Sequence, residues 1–242
     1  MSVQVNASQV DERTLKDLIE SESDIEVTGC LGQRYLGVAR KCGQLRITGT
    51  PGNGLASYLD GGEIYVHGNV QDAVADTMND GFLAVDGNAG DALCYAMRGG
   101  RVFIRGNAGY RAGVHMKAYR ERQSILVIGG RAGSFLGEYL AGGTIAVLGL
   151  DCPAGSQLTG YFCANGMYAG SIYLRTTARP VGLSDKLSCH LMDGEEKKAK
   201  LEGLIRDYAS AFSLDAQQIL SGPFLSIEAD PHKSYRQLYA TL

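Results

Sequence analysis

The sequence predicts an all-β chain: a single-stranded parallel β-helix of about eight turns with short helical appendages at both ends. Three observations predict it. Short segments of one shape recur along the 242 residues. Their closing glycines at Gly49, Gly68, Gly87 and Gly106 fall 19 residues apart three times running. Each segment alternates aliphatic with mixed residues, the period of a strand with one buried face.

Aligning SDIEVTG, GQLRITG, GEIYVHG, GFLAVDG, GRVFIRG, QSILVIG, GTIAVLG and GSIYLR places Ile25, Leu45, Ile64, Leu83, Val102, Ile125, Ile145 and Ile172 in one column. Val27, Ile47, Val66, Val85, Ile104, Val127, Val147 and Leu174 form a second. Between them stand Glu26, Arg46, Tyr65, Ala84, Phe103, Leu126, Ala146 and Tyr173, a mixed set that belongs on an outer face. A strand of this length cannot bury its aliphatic face alone. Stacking the turns in parallel at about 4.8 Å joins the columns into one core, and eight turns reach roughly 35 to 40 Å.

A second glycine follows each closing one: Gly29 to Gly32, Gly49 to Gly52, Gly87 to Gly90 and Gly106 to Gly109, with Gly129 to Gly133 one residue longer. Corners of a narrow coil need positive φ or close backbone approach, which glycine tolerates and asparagine accepts next best. The structural turn residues are therefore Gly49, Gly52, Gly68, Gly87, Gly90, Gly106, Gly109 and Gly113, with Asn69, Asn88 and Asn107. These asparagines are 19 residues apart and are expected to stack as an amide ladder. Two insertions break the repeat. HMKAYRERQ, between Gly113 and Gln123, lengthens a turn by four residues and carries Lys117, Arg120 and Arg122. The second lies between Gly149 and Gly170. Insertions in a solenoid emerge as loops, often on a contacting face.

An open β-helix exposes strand edges, so both ends need caps. Leu15, Leu18 and Ile19 form a helical stripe, making 1–22 an N-terminal helical cap on a β-helix spanning 23–177. In the C-terminal tail, 178–242, the glycine period vanishes. Leu201, Leu204, Ile205, Tyr208, Ala209 and Phe212 fall at helical spacing. Ser213 is read as the N-cap of a short helix through Leu220, stopped by Gly222-Pro223.

The charge balance, 23 basic against 26 acidic residues, leaves a net of −3 and argues against nucleic acid or an anionic membrane as partner. No segment approaches the ~20 apolar residues needed to span a bilayer, and the chain reads as cytoplasmic. The six cysteines are scattered with no C-x-x-C pair, the pattern of small buried side chains rather than a metal site. His67, Asp86 and Arg105 occupy equivalent outward positions on successive strands. They read as a charge-paired outer face, the other reading being a catalytic row of a carbohydrate-acting β-helix enzyme. An acyltransferase helix repeats an aliphatic every six residues, which these segments do not. Arg34, Arg98, Arg111 and His115 lie at corners. Arg111 and His115 flank the basic insertion and, with Lys117, Arg120 and Arg122, are the partner-docking candidates.

The stretch from GTPGNGLASYLDGGEIYVHG through GNAGYRAGVHMKAYRE to GGRAGSFLGEYLAGGTIAVLG, with GQRYLG at 32–37 and the tail LEGLIRDYASAFSLDAQQIL, resembles the G-x-x-G-x-x-x-G domain that ends the large subunit of glutamate synthase, in its form as a separate polypeptide. Gly106, Gly109 and Gly113 reproduce the motif, while Ala56 and Cys94 replace its third glycine elsewhere. The resemblance implies a right-handed helix and a noncatalytic scaffold. This chain would hold no cofactor and no catalytic or metal-binding residue; FMN and an iron–sulfur cluster are expected in a partner synthase subunit, beside a glutaminase subunit. No residue matches the glutaminase nucleophile, Cys30 being internal. A homo-oligomer is also compatible. Relatives in N-methylglutamate synthase and, more distantly, a subunit of formylmethanofuran dehydrogenase keep those assemblies as alternatives.

Overall fold

A computed structural model describes residues 2–229, so positions 230–242 of the expected tail lie outside the described residues. Eight strands run parallel, one per turn: β2 (Asp24–Leu31), β3 (Gln44–Thr50), β4 (Asp60–His67), β5 (Asp80–Val85), β6 (Gly100–Ile104), β7 (Ser124–Ile128), β8 (Ala141–Val147) and β9 (Ala169–Leu174). Each pairs with the next, giving a β-solenoid of about seven turns from first to last. The aliphatic columns point inward. Ile25 pairs with Leu45, Leu45 with Ile64, Val66 with Val85 and Val85 with Ile104, and each of these is at most 1% exposed.

The expected alignment slips by one residue at β7. Leu126 pairs with Val102 and Ile145, and Ile128 with Ile104 and Val147, so these two fill the columns in place of Ile125 and Val127. The Gly130 amide, not that of Gly129, bonds to the Gly106 carbonyl at 2.8 Å. Gly106 and Gly130 are 24 residues apart against the usual 19, so the insertion adds five residues rather than four. Gly130, Gly133 and Gly137 then repeat the spacing of Gly106, Gly109 and Gly113, with no lengthened step. Gly129 takes the place of Arg105 one strand earlier. A Cβ there would collide with the Tyr208 hydroxyl and the Arg105 carbonyl.

Two further sides close each turn. On one, Val70, Ala89, Ala108, Ala132 and Thr159 form a row of parallel bridges. On the other, Leu36, Leu55, Val74, Leu93 and Leu136 face inward beside Leu59, Met78, Met97, Met116 and Leu140, all buried. The backbone of this third side alternates in hand, with φ of 61° at Arg111, 69° at Gly113 and 56° at His115. Its amides bond to the turns above and below by turns: Arg111 to the Ser134 carbonyl, Gly113 to Leu93, His115 to Glu138, at 2.8 to 3.0 Å. Alternate amides of this side are thus paired without a regular sheet.

The third glycine of the motif sits in the middle of that side. A Cβ on Gly113 would lie 2.6 Å from Ile145 Cδ1, two strands onward, and Gly37 and Gly137 face Ile64 and Ile172 in the same way. Where Ala56, Ala75 and Cys94 replace the glycine, the corresponding strand residue is Leu83, Val102 or Leu126. These residues keep the left-handed backbone, with φ of 59°, 57° and 57°. The departures change packing partners and leave the path of the chain intact.

The ends are more strand-rich than the sequence suggests. β1 (Val3–Asn6) adds a parallel strand ahead of β2, so 1–22 is not helical throughout. α1 (Glu12–Ser21), capped by the Asp11 side chain, buries Leu15 and Ile19 in the solenoid core. Arg40 stands where later turns place Leu59 or Met78. It is 9% exposed and donates to the carbonyls of Ile19, Glu22 and Ser23 at the end of α1. At the far end β11 (Leu225–Ala229) pairs antiparallel with β9, putting Leu225 on Leu174 and Ile227 on Ile172, and β10 (Leu187–Leu191) pairs antiparallel with β11. The tail is thus not a purely helical appendage. The alternation of Leu225, Ile227 and Ala229 is the strand period that would have revealed it.

α2 (Gly194–Phe212) lays Leu201, Ile205, Tyr208 and Ala209 on the outer sheet face, against Phe103, Val127, Ala146 and Tyr173. Arg101 reaches Asp207 at 2.9 Å and Tyr208 donates to the Ile104 carbonyl at 3.2 Å. Ser213 is the left-handed C-cap of α2, and Asp215, not Ser213, caps α3 (Ala216–Leu220). The outer face is consequently not all solvated: Ala84 is 5% exposed, so an acidic residue there is not the harmless change its outward position implies.

Replacing Val85 with Asp buries an unpaired carboxylate in a continuous aliphatic column, at a cost of several kcal/mol. Thr48→Asp, on an exposed outward position, is expected within about 0.5 kcal/mol of the parent. Thermal melts of the two variants check this, and equal melting temperatures would refute the register.

Candidate docking face

Because third-side segments stack turn upon turn, residues at one position in the turn form columns on the surface. Tyr110 and Arg111 of one turn lie beside Phe135 of the next and Phe162 of the one after. Ring centroids are 5.2 Å apart for Tyr110 and Phe135 and 4.9 Å for Phe135 and Phe162. The Arg111 guanidinium sits 5.2 Å from the Tyr110 ring and 5.3 Å from that of Phe135. Four residues further along each turn, His115 stacks on Tyr139 at 5.1 Å and meets the edge of Tyr95 at 5.7 Å. Between the two rows lies Glu138, nearly buried, which accepts from Asn165 Nδ2 at 3.2 Å and lies 3.8 Å from Arg111.

Tyr110, Tyr139, Tyr161 and Phe162 are each 40% or more exposed. Arg111, His115, Phe135, Tyr139 and Phe162 all hold positive φ, between 54° and 62°. Such a conformation costs a residue with a Cβ about 1 kcal/mol, and the stacking hydrogen bonds hold it in place. An arginine pinned between rings, with donors toward solvent, is a ready receptor for carboxylate or carbonyl oxygens. Exposed tyrosine and arginine are also the side chains that dominate protein interfaces.

Earlier turns of the same face differ in character. Beside the exposed Tyr58 and Tyr95 they present the small Ala73, Thr77, Ala92 and Ala96 and the acidic Asp72, Asp76 and Asp91. Asp72 Oδ1 accepts from the Asp91 amide at 2.8 Å, and Asp91 Oδ1 from the Tyr110 amide at 2.7 Å. This carboxylate ladder was missed from sequence, although Asn53, Asp72 and Asp91 share the 19-residue spacing. At the corner near the strand ends, the backbone amide of Asn107 donates to Asn88 Oδ1, and that of Asn88 to Asn69 Oδ1, both at 2.8 Å.

The five docking candidates do not converge. Arg111 and His115 lie on the aromatic face. Lys117 is exposed just beyond it, and Arg120 is at the loop tip with its guanidinium 5.2 Å from the Tyr119 ring. Arg122 folds back onto the solenoid, donating to Asp60 at 2.8 Å and to the Asn79 carbonyl at 3.2 Å. Both bonds come from Nη1 and pin the insertion to the solenoid. Arg122 also borders an open depression of about 600 Å³ with Glu63, Asp80, Phe82 and Arg101. His67 Nδ1 and Asp86 Oδ2 are 2.6 Å apart and both exposed, with Arg105 on the next strand. They form a surface pair rather than an enclosed constellation.

Cys94 and Cys163 lie on the buried, inner side of this face. Burial pushes the Cys30 thiol up to about 11 and Cys163 to about 12, and raises Cys94 as well. At neutral pH these thiols stay protonated and are poor nucleophiles and ligands. Among the described residues no three His, Cys, Asp or Glu side chains are grouped to hold a metal ion, and no helix is long and apolar enough to cross a membrane.

The sequence model of the GXGXG motif matches residues 25–225. The chain belongs to the GXGXG family, that of the C-terminal domain of the glutamate synthase large subunit. The GXGXG domain is itself non-catalytic. This GXGXG chain is also 46% identical over 168 residues to an uncharacterized protein of Methanocaldococcus jannaschii, a match covering 66% of this chain and 64% of that relative. It therefore spans less than two thirds of the length of the relative it matches.

Thiol labelling tests the packing described. Exposed Cys42 is expected to react with a maleimide in the native protein, and buried Cys94 and Cys163 only after denaturation. Labelling of Cys94 as fast as Cys42 would mean that the turns open.

Proposed function

We propose that this chain is a noncatalytic scaffold subunit of a glutamate-synthase-type assembly. It holds a glutaminase subunit and a subunit carrying FMN and an iron–sulfur cluster in register for glutamine-dependent formation of glutamate, a role in nitrogen metabolism. The observation that carries this reading is a stiff, hydrogen-bonded stack from which an insertion bearing the exposed Lys117 and Arg120 projects. Membership of the GXGXG family supports it.

Stacked turns suit the task, because every turn is hydrogen-bonded to its neighbours and the distance between two docking points is set by the number of turns between them. Lys117 and Arg120, on the insertion that interrupts the repeat, are the contact assigned to the flavin subunit. Charges at an interface rim act chiefly on association rate and salt sensitivity.

Expressed with its neighbouring reading frames, the tagged chain is expected to bring down a flavin-bearing subunit; purified alone it is expected to be colourless. Lys117→Ser with Arg120→Ser should leave the melting temperature unchanged, weaken assembly and flatten its dependence on ionic strength. Stoichiometric FMN in the isolated chain would overturn the scaffold reading. An unaltered salt slope would remove the insertion from the interface.

A further inference from the structure

We propose that the third side of the solenoid is a two-fold interface at which a second copy of this chain docks, the basic half of one face against the acidic half of the other. The proposal goes beyond the scaffold reading and does not depend on it. It starts from an asymmetry of charge along the stack. One half of the face carries Arg111, His115 and the rings of Phe135, Tyr139 and Phe162, with the carboxylate of Glu138 nearly buried beneath them. The half before it carries the carboxylates of Asp72, Asp76 and Asp91 among Ala73, Ala92 and Ala96, with the rings of Tyr58 and Tyr95 exposed beside them.

A two-fold axis perpendicular to the face reverses the direction of the stack. Set between the turn of Asp91 and the turn of Arg111, it lays the basic half of each copy over the acidic half of the other. Opposite charges then meet twice in one contact, as an isologous interface requires. No other element of this chain covers the face among the described residues: α2 lies on the outer sheet face, α1 at the first turn, and β10 and β11 at the last. Six turns about 4.8 Å apart overlap about that axis, and crossed by some seven residues at no more than ~3.5 Å each they give a projected area of at most about 700 Å². Its corrugated accessible surface is of the size that each partner of a standard interface buries, roughly 800 Å².

The test uses the full chain alone. Sedimentation velocity at micromolar concentration is expected to show a dimer that weakens as salt is raised. Arg111→Glu and Asp76→Lys with Asp91→Lys should each weaken the dimer by about 100-fold or more, as reversed charges at an interface centre do. Arg111→Glu is expected to melt somewhat earlier, since it sets a second carboxylate beside nearly buried Glu138, and because Asp91 accepts a backbone amide, Asp76→Lys alone serves if the double variant melts early. An equimolar mixture of the Arg111→Glu chain with the lysine variant should dimerise again, since opposite charges then face each other across the axis. A loss of folding could not produce that recovery. A monomeric parent, dimers that persist in both variants, or a mixture that stays monomeric would each overturn the proposal. A monomeric parent whose Arg111→Glu variant loses only the flavin subunit would assign the face to that partner instead.

Discussion

Everything in this molecule depends on one constraint: a strand of five to eight residues with a single aliphatic face is unstable until another identical strand lies on top of it. The two inward columns answer that constraint, each turn covering the last at the spacing of parallel strands. The glycine spacing follows, because every turn must return to the same point one layer higher. Both ends follow as well. A stack has a first and a last layer, each with an aliphatic face and unpaired backbone, so β1 and α1 close one and β11 with β10 the other.

Much of this was readable because the columns are chemically uniform. The reading slipped where that uniformity extended too far. Ile125, Leu126, Val127 and Ile128 are aliphatic in succession, since the outward Val127 is buried under α2 while Leu126 and Ile128 fill the core. With both faces of a strand covered, alternation vanishes and register becomes ambiguous. The same coverage explains the apolar outward row of Phe103, Ala146 and Tyr173, which announced a covering element without saying which one. The antiparallel strands of the tail were overlooked for a different reason: β10, with the sequence Leu-Ser-Cys-His-Leu, has a weak pattern and takes its identity from β11.

The candidate site was legible only in part. Arg111 and His115 were singled out by their position near the insertion, and they do lie on the aromatic face. Phe135, Tyr139 and Phe162 were not, because the sequence gives no sign that a residue with a Cβ will hold a left-handed backbone. That conformation is imposed by the stack, through amides that bond alternately upward and downward, and it survives at Ala, Cys, Phe, Tyr and His alike. Arg122 looks wholly available from sequence, as charge in a loop does, whereas folding also gives it Asp60 and the Asn79 carbonyl as partners.

Arg40 bears on the size of the object. Turns later in the stack place a leucine or methionine at its position, and a chain of such turns has no intrinsic reason to begin at any one of them. A guanidinium there accepts only a layer that offers several carbonyl oxygens at once, which the end of α1 does and another turn does not. The side chain therefore acts as a terminus. It closes the solenoid at this end onto α1 in place of a further turn like those that follow.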